Sequence, residues 1–262
     1  MIPKIIHYCW FGRNPKPLII KKCIKSWKKF CPDYKIIEWN ENNFDVRQNR
    51  FCNEAYEMKK WAFVSDYARL KVLFDFGGIY MDTDVELIKP IDTLLENTNF
   101  IGFQHEQYIS NGLVFGSERK GKFVKEQLKI YEGMNFIQDD GKLNMTVCQE
   151  YTTGILKKSD IIVPDTGKIQ HSTQYQLTVY PSEYFCPIDI RTGSKKITEN
   201  TYAIHHFTSS WWDTKRLKTK RRIKRRELLH NVIHIPNRIA KTFLGDERYE
   251  SLKELIKGRS DL

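Results

Sequence analysis

Apolar positions change their period along this chain, and each change marks an element. Residues 4–10 form an almost unbroken apolar run containing Ile5, Ile6, Tyr8, Cys9 and Trp10, the pattern of a buried strand, and Gly12, Pro15 and Pro17 break it. From Leu18 to Phe30 the side chains Ile19, Ile20, Cys23, Ile24, Trp27 and Phe30 recur at the spacing of one helical face, and residues 34–39 return to a strand pattern. A strand, a turn-rich loop, a helix and a second strand in that order predict an α/β fold with a largely parallel sheet.

Residues 61–84 carry the most information. Phe63, Asp66, Tyr67, Leu70, Leu73, Phe74 and Gly77 follow one helical stripe, so Asp66 falls among positions that should be buried, with Arg69 one turn along. A carboxylate in such a place requires a partner. Gly77-Gly78 ends the helix, and Ile79, Tyr80 and Met81 form a short strand that runs into Asp82-Thr83-Asp84. Both carboxylates therefore fall at the carboxyl end of a strand, the edge at which open α/β sheets bind ligands.

Later elements are less sharply marked. Strands are predicted near 100–103, 113–115, 161–163, 177–180 and 202–207, helices near 122–131 and 146–156, and no internal repeat is visible. From Thr214 onward the pattern is helical with breaks at Pro236 and Gly245, which predicts a domain over 1–213 followed by a basic helical C-terminal extension over 214–262.

Composition adds limits rather than identity. With 40% hydrophobic and 29% charged residues the chain is of globular type, and no run approaches the roughly 18 apolar residues that a membrane span needs. The first residues lack the basic-then-apolar pattern of a secretory leader, so a cytoplasmic location is expected. Six cysteines without a CxxC pair or a zinc spacing predict free thiols. Of the formal net charge of +11, nine units lie between Lys215 and Arg226 without one acid, leaving +2 for the rest. That distribution argues against a surface built throughout for nucleic acid and for one local basic device.

Asp-x-Asp alone is weak in a chain with fifteen aspartates, so its context must decide. A calcium loop starting at Asp82 would need Gly and Glu where Leu87 and Thr93 stand, and a phosphatase of the haloacid dehalogenase type would need Thr or Val where Glu86 stands. Two carboxylates at a strand end suit a hard divalent cation, Mn²⁺ or Mg²⁺, that shares its coordination with substrate phosphates.

The block containing Ile5-Ile6-His7-Tyr8-Cys9-Trp10-Phe11-Gly12, the helix with Ser65-Asp66-Tyr67-Ala68-Arg69, the string Gly77-Gly78-Ile79-Tyr80-Met81-Asp82-Thr83-Asp84-Val85 and the late Ala203-Ile204-His205-His206 through Ser210-Trp211 resemble glycosyltransferase family 32 in order and content. The catalytic domain of the large clostridial glucosylating toxins is similar. The resemblance implies a GT-A fold, Rossmann-like, with a mixed and mainly parallel sheet flanked by helices. It also implies transfer of a sugar from a nucleotide donor with retention at the anomeric carbon.

Carried over by position, the resemblance implies that Trp10 stacks on the donor's base, that Asp66 and Arg69 contact ribose and donor sugar, and that Tyr80 flanks the nucleotide. Asp84 would bind the metal directly, and Asp82 would touch ribose or metal-bound water. His205 and His206 compete for a further metal position, with His206 slightly preferred because it precedes Phe207. Asn111 would lie on the acceptor or sugar side, and Ser210 and Trp211 would close over the diphosphate. Thr153-Gly154 departs from the fuller Thr-Gly-Pro of many members.

The donor is expected to be a UDP-sugar such as UDP-Gal, UDP-Glc or UDP-GlcNAc. The acceptor is expected to be a glycan hydroxyl, polyprenyl-diphosphate-linked, in capsular or surface polysaccharide synthesis. The basic run 215–226 would dock on the anionic inner face of the membrane. Two rivals remain: a basic nucleic-acid-binding protein, and a nucleotide-sugar hydrolase on the same fold.

Overall fold

The buried run at the start becomes strand β1 (Ile5–Cys9), followed by helix α1 (Leu18–Phe30) and strand β2 (Lys35–Trp39). The structure is a computed structural model and describes residues 1–189 and 193–208. Helices α2 (Arg50–Glu57) and α3 (Trp61–Phe76) lead to β3 (Gly78–Tyr80) and β4 (Val85–Leu87). Then come β5 (Asn99–His105), β6 (Tyr108–Ser110), β7 (Phe115–Ser117), α4 (Lys122–Glu132) and α5 (Cys148–Leu156). The described part ends with β8 (Gln170–Ser172), β9 (Leu177–Tyr180), the short α6 (Ser182–Phe185) and β10 (Ala203–His205).

The main sheet has the order β2-β1-β3-β7-β5-β9-β8, with β6 added to β5. β1 pairs in parallel with β2 and β3, and β5 with β9, while β7, β8 and β6 run against them. This is the mixed, mainly parallel α/β architecture that the resemblance implies. Strand alternation sends Cys9, Tyr80, Ile101 and Phe103 to a core shared with α2, α3, α4 and α5. Tyr8, Ile79 and Phe100 face a second core under α1 and α6. Trp27 of α1 is fully buried there, and its indole N–H donates to the Val85 carbonyl at 2.7 Å. Burial of each such large side chain contributes roughly 1.5–3 kcal/mol.

Helix α3 stops where glycine is required. Gly77 has φ +66°, its N–H donates to the Leu73 carbonyl at 2.8 Å, and a Cβ there would stand 2.7 Å from the Arg119 backbone nitrogen. The freed Gly77 carbonyl is met by His7 of β1 at 2.8 Å. Trp39 donates to His7 Nδ1 at 3.0 Å, so the ring is neutral with its proton on Nε2, donated to Gly77. Burial pushes the His7 pKa down to about 4. An imidazole so depressed stabilises the fold above its unfolded pKa and loses that contribution as pH falls toward the folded value. Between pH 7 and pH 5 the wild type should therefore lose about 2 kcal/mol that a His7→Gln variant does not lose. Urea midpoints of both proteins at the two pH values measure the difference, and equal losses would refute the assignment.

Three expectations are corrected. Residues 161–163 are not a strand: the amide and carbonyl of Ile162 bond to the side chain of Gln170, at 2.8 and 3.0 Å, where a neighbouring strand would be. The strand expected at 113–115 lies at Phe115–Ser117, pairing Phe115 with Tyr80 and Gly116 with Ile79. The strand expected at 202–207 is confined to Ala203–His205 and joins no main-sheet strand; it pairs antiparallel with β4, with His205 opposite Val85. Helices α2 and α6 and strands β4, β6 and β8 were not anticipated. All six cysteines are free and buried, and no helix of the described residues is long and apolar enough to cross a membrane. The expected extension over 214–262, with its basic run 215–226, lies outside the described residues, as do Ser210 and Trp211.

Candidate active site

Two strand ends and one helix build this part of the site. Trp10 follows the carboxyl end of β1, Asp82 and Asp84 follow β3, and α3 presents Asp66 and Arg69 from the side. Arg69 is the hub. Its Nη2 lies 3.1 Å from Oδ1 of both Asp66 and Asp82, and its Nη1 donates to Asn111 Oδ1 at 2.9 Å and to the Cys148 thiol at 3.4 Å. The guanidinium carbon stands 5.0 Å over the Tyr80 ring, whose hydroxyl donates to Asp82 Oδ1 at 3.1 Å. Burial opposes charge throughout this group. It raises the Asp66 carboxyl to about 6 against the pull of Arg69, and it raises Asp82 as well, although that side chain keeps 30% of its surface open. Two carboxylates around one guanidinium hold the Arg69 pKa above its ordinary value in spite of the same burial.

Asp84 is held from the opposite side. Its Oδ2 accepts from the Thr208 amide at 2.8 Å and the Thr208 hydroxyl at 2.9 Å, and its Oδ1 lies 3.2 Å from His205 Nε2. Burial alone would raise this carboxyl, but His205 and the Thr208 donors bring it well below the usual carboxylate range. Desolvation likewise works against charge on His205, yet Asp84 pulls its pKa up to about 10. The pairing of β10 with β4 therefore separates the two histidines. His205 faces Asp84, while His206 turns to Glu86 at 2.8 Å, itself paired with Lys22 at 3.0 Å. The preference for His206 beside the carboxylates is reversed by this geometry.

Other predicted residues occupy less open places than expected. Tyr80 is 1% exposed, and what it offers the site is its hydroxyl on Asp82 rather than an open ring face. Asn111 is also 1% exposed. Its Oδ1 receives Arg69, and its amide donates to Gln127 Oε1 at 3.1 Å and Thr152 Oγ1 at 3.3 Å, so it positions Arg69 from within the core. Trp10 is half-buried, with its N–H donated to the Asn14 carbonyl at 2.7 Å and Lys16 Nζ 5.5 Å from the ring. Thr153 accepts from the Ile109 amide at 2.9 Å, a structural role behind β6. Thr208, Gln127, Thr152 and Cys148 escaped the sequence reading, and nothing in local spacing marks them, because each acts across 16 to 124 residues of chain.

Gly112 is required for a different reason from Gly77. Its carbonyl accepts from the Asp82 amide at 2.8 Å, and a Cβ there would stand 2.2 Å from Asp82 Oδ2 and 2.9 Å from its carboxyl carbon. The loop cannot retreat without losing that backbone bond. Gly112→Ala should therefore turn the Asp82 carboxylate out of place and reduce activity about tenfold or more while far-UV circular dichroism stays native. Wild-type activity in a folded variant would contradict this.

Among the described residues no group of three His, Cys, Asp or Glu side chains could cage a metal ion by itself. The donor set instead consists of two carboxylates, Asp82, whose Oδ2 is turned toward Gly112, and Asp84, which His205 supports at 3.2 Å. Such a set fits a hard divalent cation that completes its coordination with water and a substrate diphosphate, since Mg²⁺-type sites commonly take only one or two protein carboxylates.

Comparison with known proteins agrees with this arrangement. Residues 17–101, which include Asp66, Arg69, Asp82 and Asp84, match the family described as "Glycosyltransferase sugar-binding region containing DXD motif". The chain is similar to inositol phosphoceramide mannosyltransferase 1 of Schizosaccharomyces pombe, 32% identical over 38% of this chain and 33% of that one. It is similar to human alpha-1,4-N-acetylglucosaminyltransferase, 35% identical over 34% of this chain and 22% of that one. It also resembles mouse lactosylceramide 4-alpha-galactosyltransferase, 43% identical over 23% of this chain and 16% of that one. The matches span a third or less of the length of these relatives.

Proposed function

We propose that the protein is a glycosyltransferase that moves a hexose from a nucleotide sugar, a UDP-sugar in the first place, to a hydroxyl of a glycan acceptor with retention at the anomeric carbon. One observation carries the reading: Asp82 and Asp84, at the carboxyl end of β3, are locked by separate partners, Arg69 with Tyr80 on one side and His205 with Thr208 on the other. Asp82 nonetheless keeps 30% of its side chain open, so the pair is fixed and still within reach of a substrate. Three similar enzymes named for transfer of mannose, N-acetylglucosamine and galactose support the reaction class. Two of them are named for ceramide-borne acceptors, which favours an acceptor carried on a lipid.

Asp84 and Asp82 would hold Mn²⁺ or Mg²⁺, which supplies positive charge to the departing diphosphate. The chain's own groups do the rest. The donors on Asp84 keep it ionised, and Arg69 fixes the rotamer of Asp82 while neutralising Asp66 beside it, so the site is preorganised before substrate enters. The acceptor oxygen forms its bond to the anomeric carbon as the bond to the diphosphate breaks, and the hydroxyl proton leaves with the phosphate oxygen. Trp10 would stack on the donor's base, and Ser210 and Trp211 would cover the diphosphate. The basic run 215–226 would bring the enzyme to an anionic cytoplasmic membrane face carrying a polyprenyl-diphosphate-linked glycan of surface polysaccharide synthesis.

A thermal-shift panel of UDP-glucose, UDP-galactose, UDP-N-acetylglucosamine and GDP-mannose, each with Mn²⁺ or Mg²⁺, tests the reading. A ligand at a hundred times its Kd stabilises the native state by about 2.7 kcal/mol. At least one sugar nucleotide should raise the melting temperature only with a cation present, and should release nucleoside diphosphate faster when a glycoside acceptor is added. Absence of any shift and any turnover would reject the function, and diphosphate release without a glycosylated product would favour the hydrolase. Trp10→Ala should raise the donor Kd about tenfold, since stacking on a base contributes roughly 1–3 kcal/mol; a lower melting temperature with unchanged Kd would make Trp10 a core residue instead.

A further inference from the structure

We propose that a cavity of about 570 Å³ on the sheet edge that carries the carboxylate pair receives the acceptor, and that it selects an uncharged or cationic sugar unit over a phosphorylated or acidic one. The proposal rests on the transferase reading and adds to it the place and the charge class of the second substrate. The volume lies within the roughly 300–1,000 Å³ of small-molecule sites.

Gln104 and His105, at the carboxyl end of β5, and Pro181, just past the carboxyl end of β9, line the cavity. Because β7 pairs antiparallel with both β3 and β5, strands β3, β5 and β9 point the same way, and the cavity opens on the sheet edge that carries Asp82 and Asp84.

Cys186 lines the cavity, and its thiol lies beside the ring of His205, which stands 3.2 Å from Asp84. On another wall, Gln104 accepts from Gln149 Nε2 at 3.2 Å, and the next residue back, Cys148, receives Arg69 Nη1. The cavity thus reaches both clamps at one remove, through Cys186 beside His205 and through Gln104, which Gln149 joins to the Arg69 side.

Among the described residues the walls carry Glu106, Asp165, Glu183 and Asp189 against Lys196. Asp165 accepts from the amide and hydroxyl of Ser182, both at 2.8 Å, and Glu183 accepts from Asn200 at 3.0 Å, so these two shape the wall. Glu106 and Gln107, exposed on the turn between β5 and β6, give the rim a carboxylate and an amide. Sugar hydroxyls and ammonium groups are donors that such acceptors recognise, whereas a phosphate or uronate would meet like charge. A lipid diphosphate on the acceptor would accordingly have to lie outside this cavity.

Saturation-transfer NMR on the full chain tests the proposal, with methyl glucoside, methyl galactoside, methyl mannoside and glucosamine as probes, against glucuronate and glucose 6-phosphate. Signals are expected from at least one of the first four and from neither anionic sugar. Replacing the rim in Glu106→Ala/Gln107→Ala should cut the signal about fivefold or more. The cation-dependent thermal shift with sugar nucleotides should stay as in wild type, because neither residue touches Asp82, Asp84 or Trp10. Equal binding of anionic sugars, a signal indifferent to the double substitution, or no signal from any glycoside would overturn the cavity assignment while a donor shift still upheld the transferase. Loss of the donor shift in wild type would instead bring down the transferase reading and this proposal with it.

Discussion

Asp84→Asn is expected to abolish sugar transfer, lowering kcat/KM about a hundredfold or more, because charge supplied to a leaving group is worth several kcal/mol and each 1.36 kcal/mol is a factor of ten. The fold should survive. The asparagine oxygen can still accept from the Thr208 amide and hydroxyl, and once the carboxylate is gone His205 is free to lose its proton, so no uncompensated charge stays buried. Melting temperature and kcat/KM measured on the same preparation separate the two effects. A folded variant with activity within twofold of wild type would remove Asp84 from any metal site.

Removal of Arg69 should act on stability as strongly as on activity. Arg69→Met leaves Asp66 and Asp82 facing one another without the guanidinium that both contact at 3.1 Å, and it strips Asn111 Oδ1 of its donor. Breaking a buried ion pair from one side costs about 3–5 kcal/mol, which for a domain of this size lowers the melting temperature by about 10 °C. Arg69→Lys should fail too, since a single ammonium cannot serve two carboxylates, an amide oxygen and a thiol in the plane of one fork. Adding Asp66→Asn to Arg69→Met removes one of the stranded charges and should restore part of the stability. An unchanged melting temperature in Arg69→Met would show that the network contributes nothing to the fold.

These two expectations draw on different levels of the chain. That Asp66 and Arg69 lie together on a buried stripe follows from helical period, and that Asp82 and Asp84 lie at a strand's carboxyl end follows from Gly77-Gly78 and the short apolar run after it. Both are local properties, set by backbone geometry within a few residues, and helix α3 and strand β3 bear them out. That Arg69 would reach across to Asp82 is not local: the two lie on different elements and meet because α3 folds back along β3.

By itself, then, the sequence determined the α/β class, the first strand and helix, the buried stripe of α3 and the carboxylate pair, all through hydrophobic period and turn residues that act over one or two turns of chain. Tertiary structure alone decided the rest. Alternation in a strand says that His205 and His206 point to opposite faces, but which face holds Asp84 depends on the pairing of β10 with β4, more than a hundred residues earlier. The same reason turned Tyr80 and Asn111 inward: Arg69 of α3 lies over the Tyr80 ring, and Arg69, Gln127 and Thr152 hold Asn111 from other elements. Packing between elements distant in sequence fixes such directions, because burying a polar group is tolerated only where its hydrogen-bond partner has been brought to meet it.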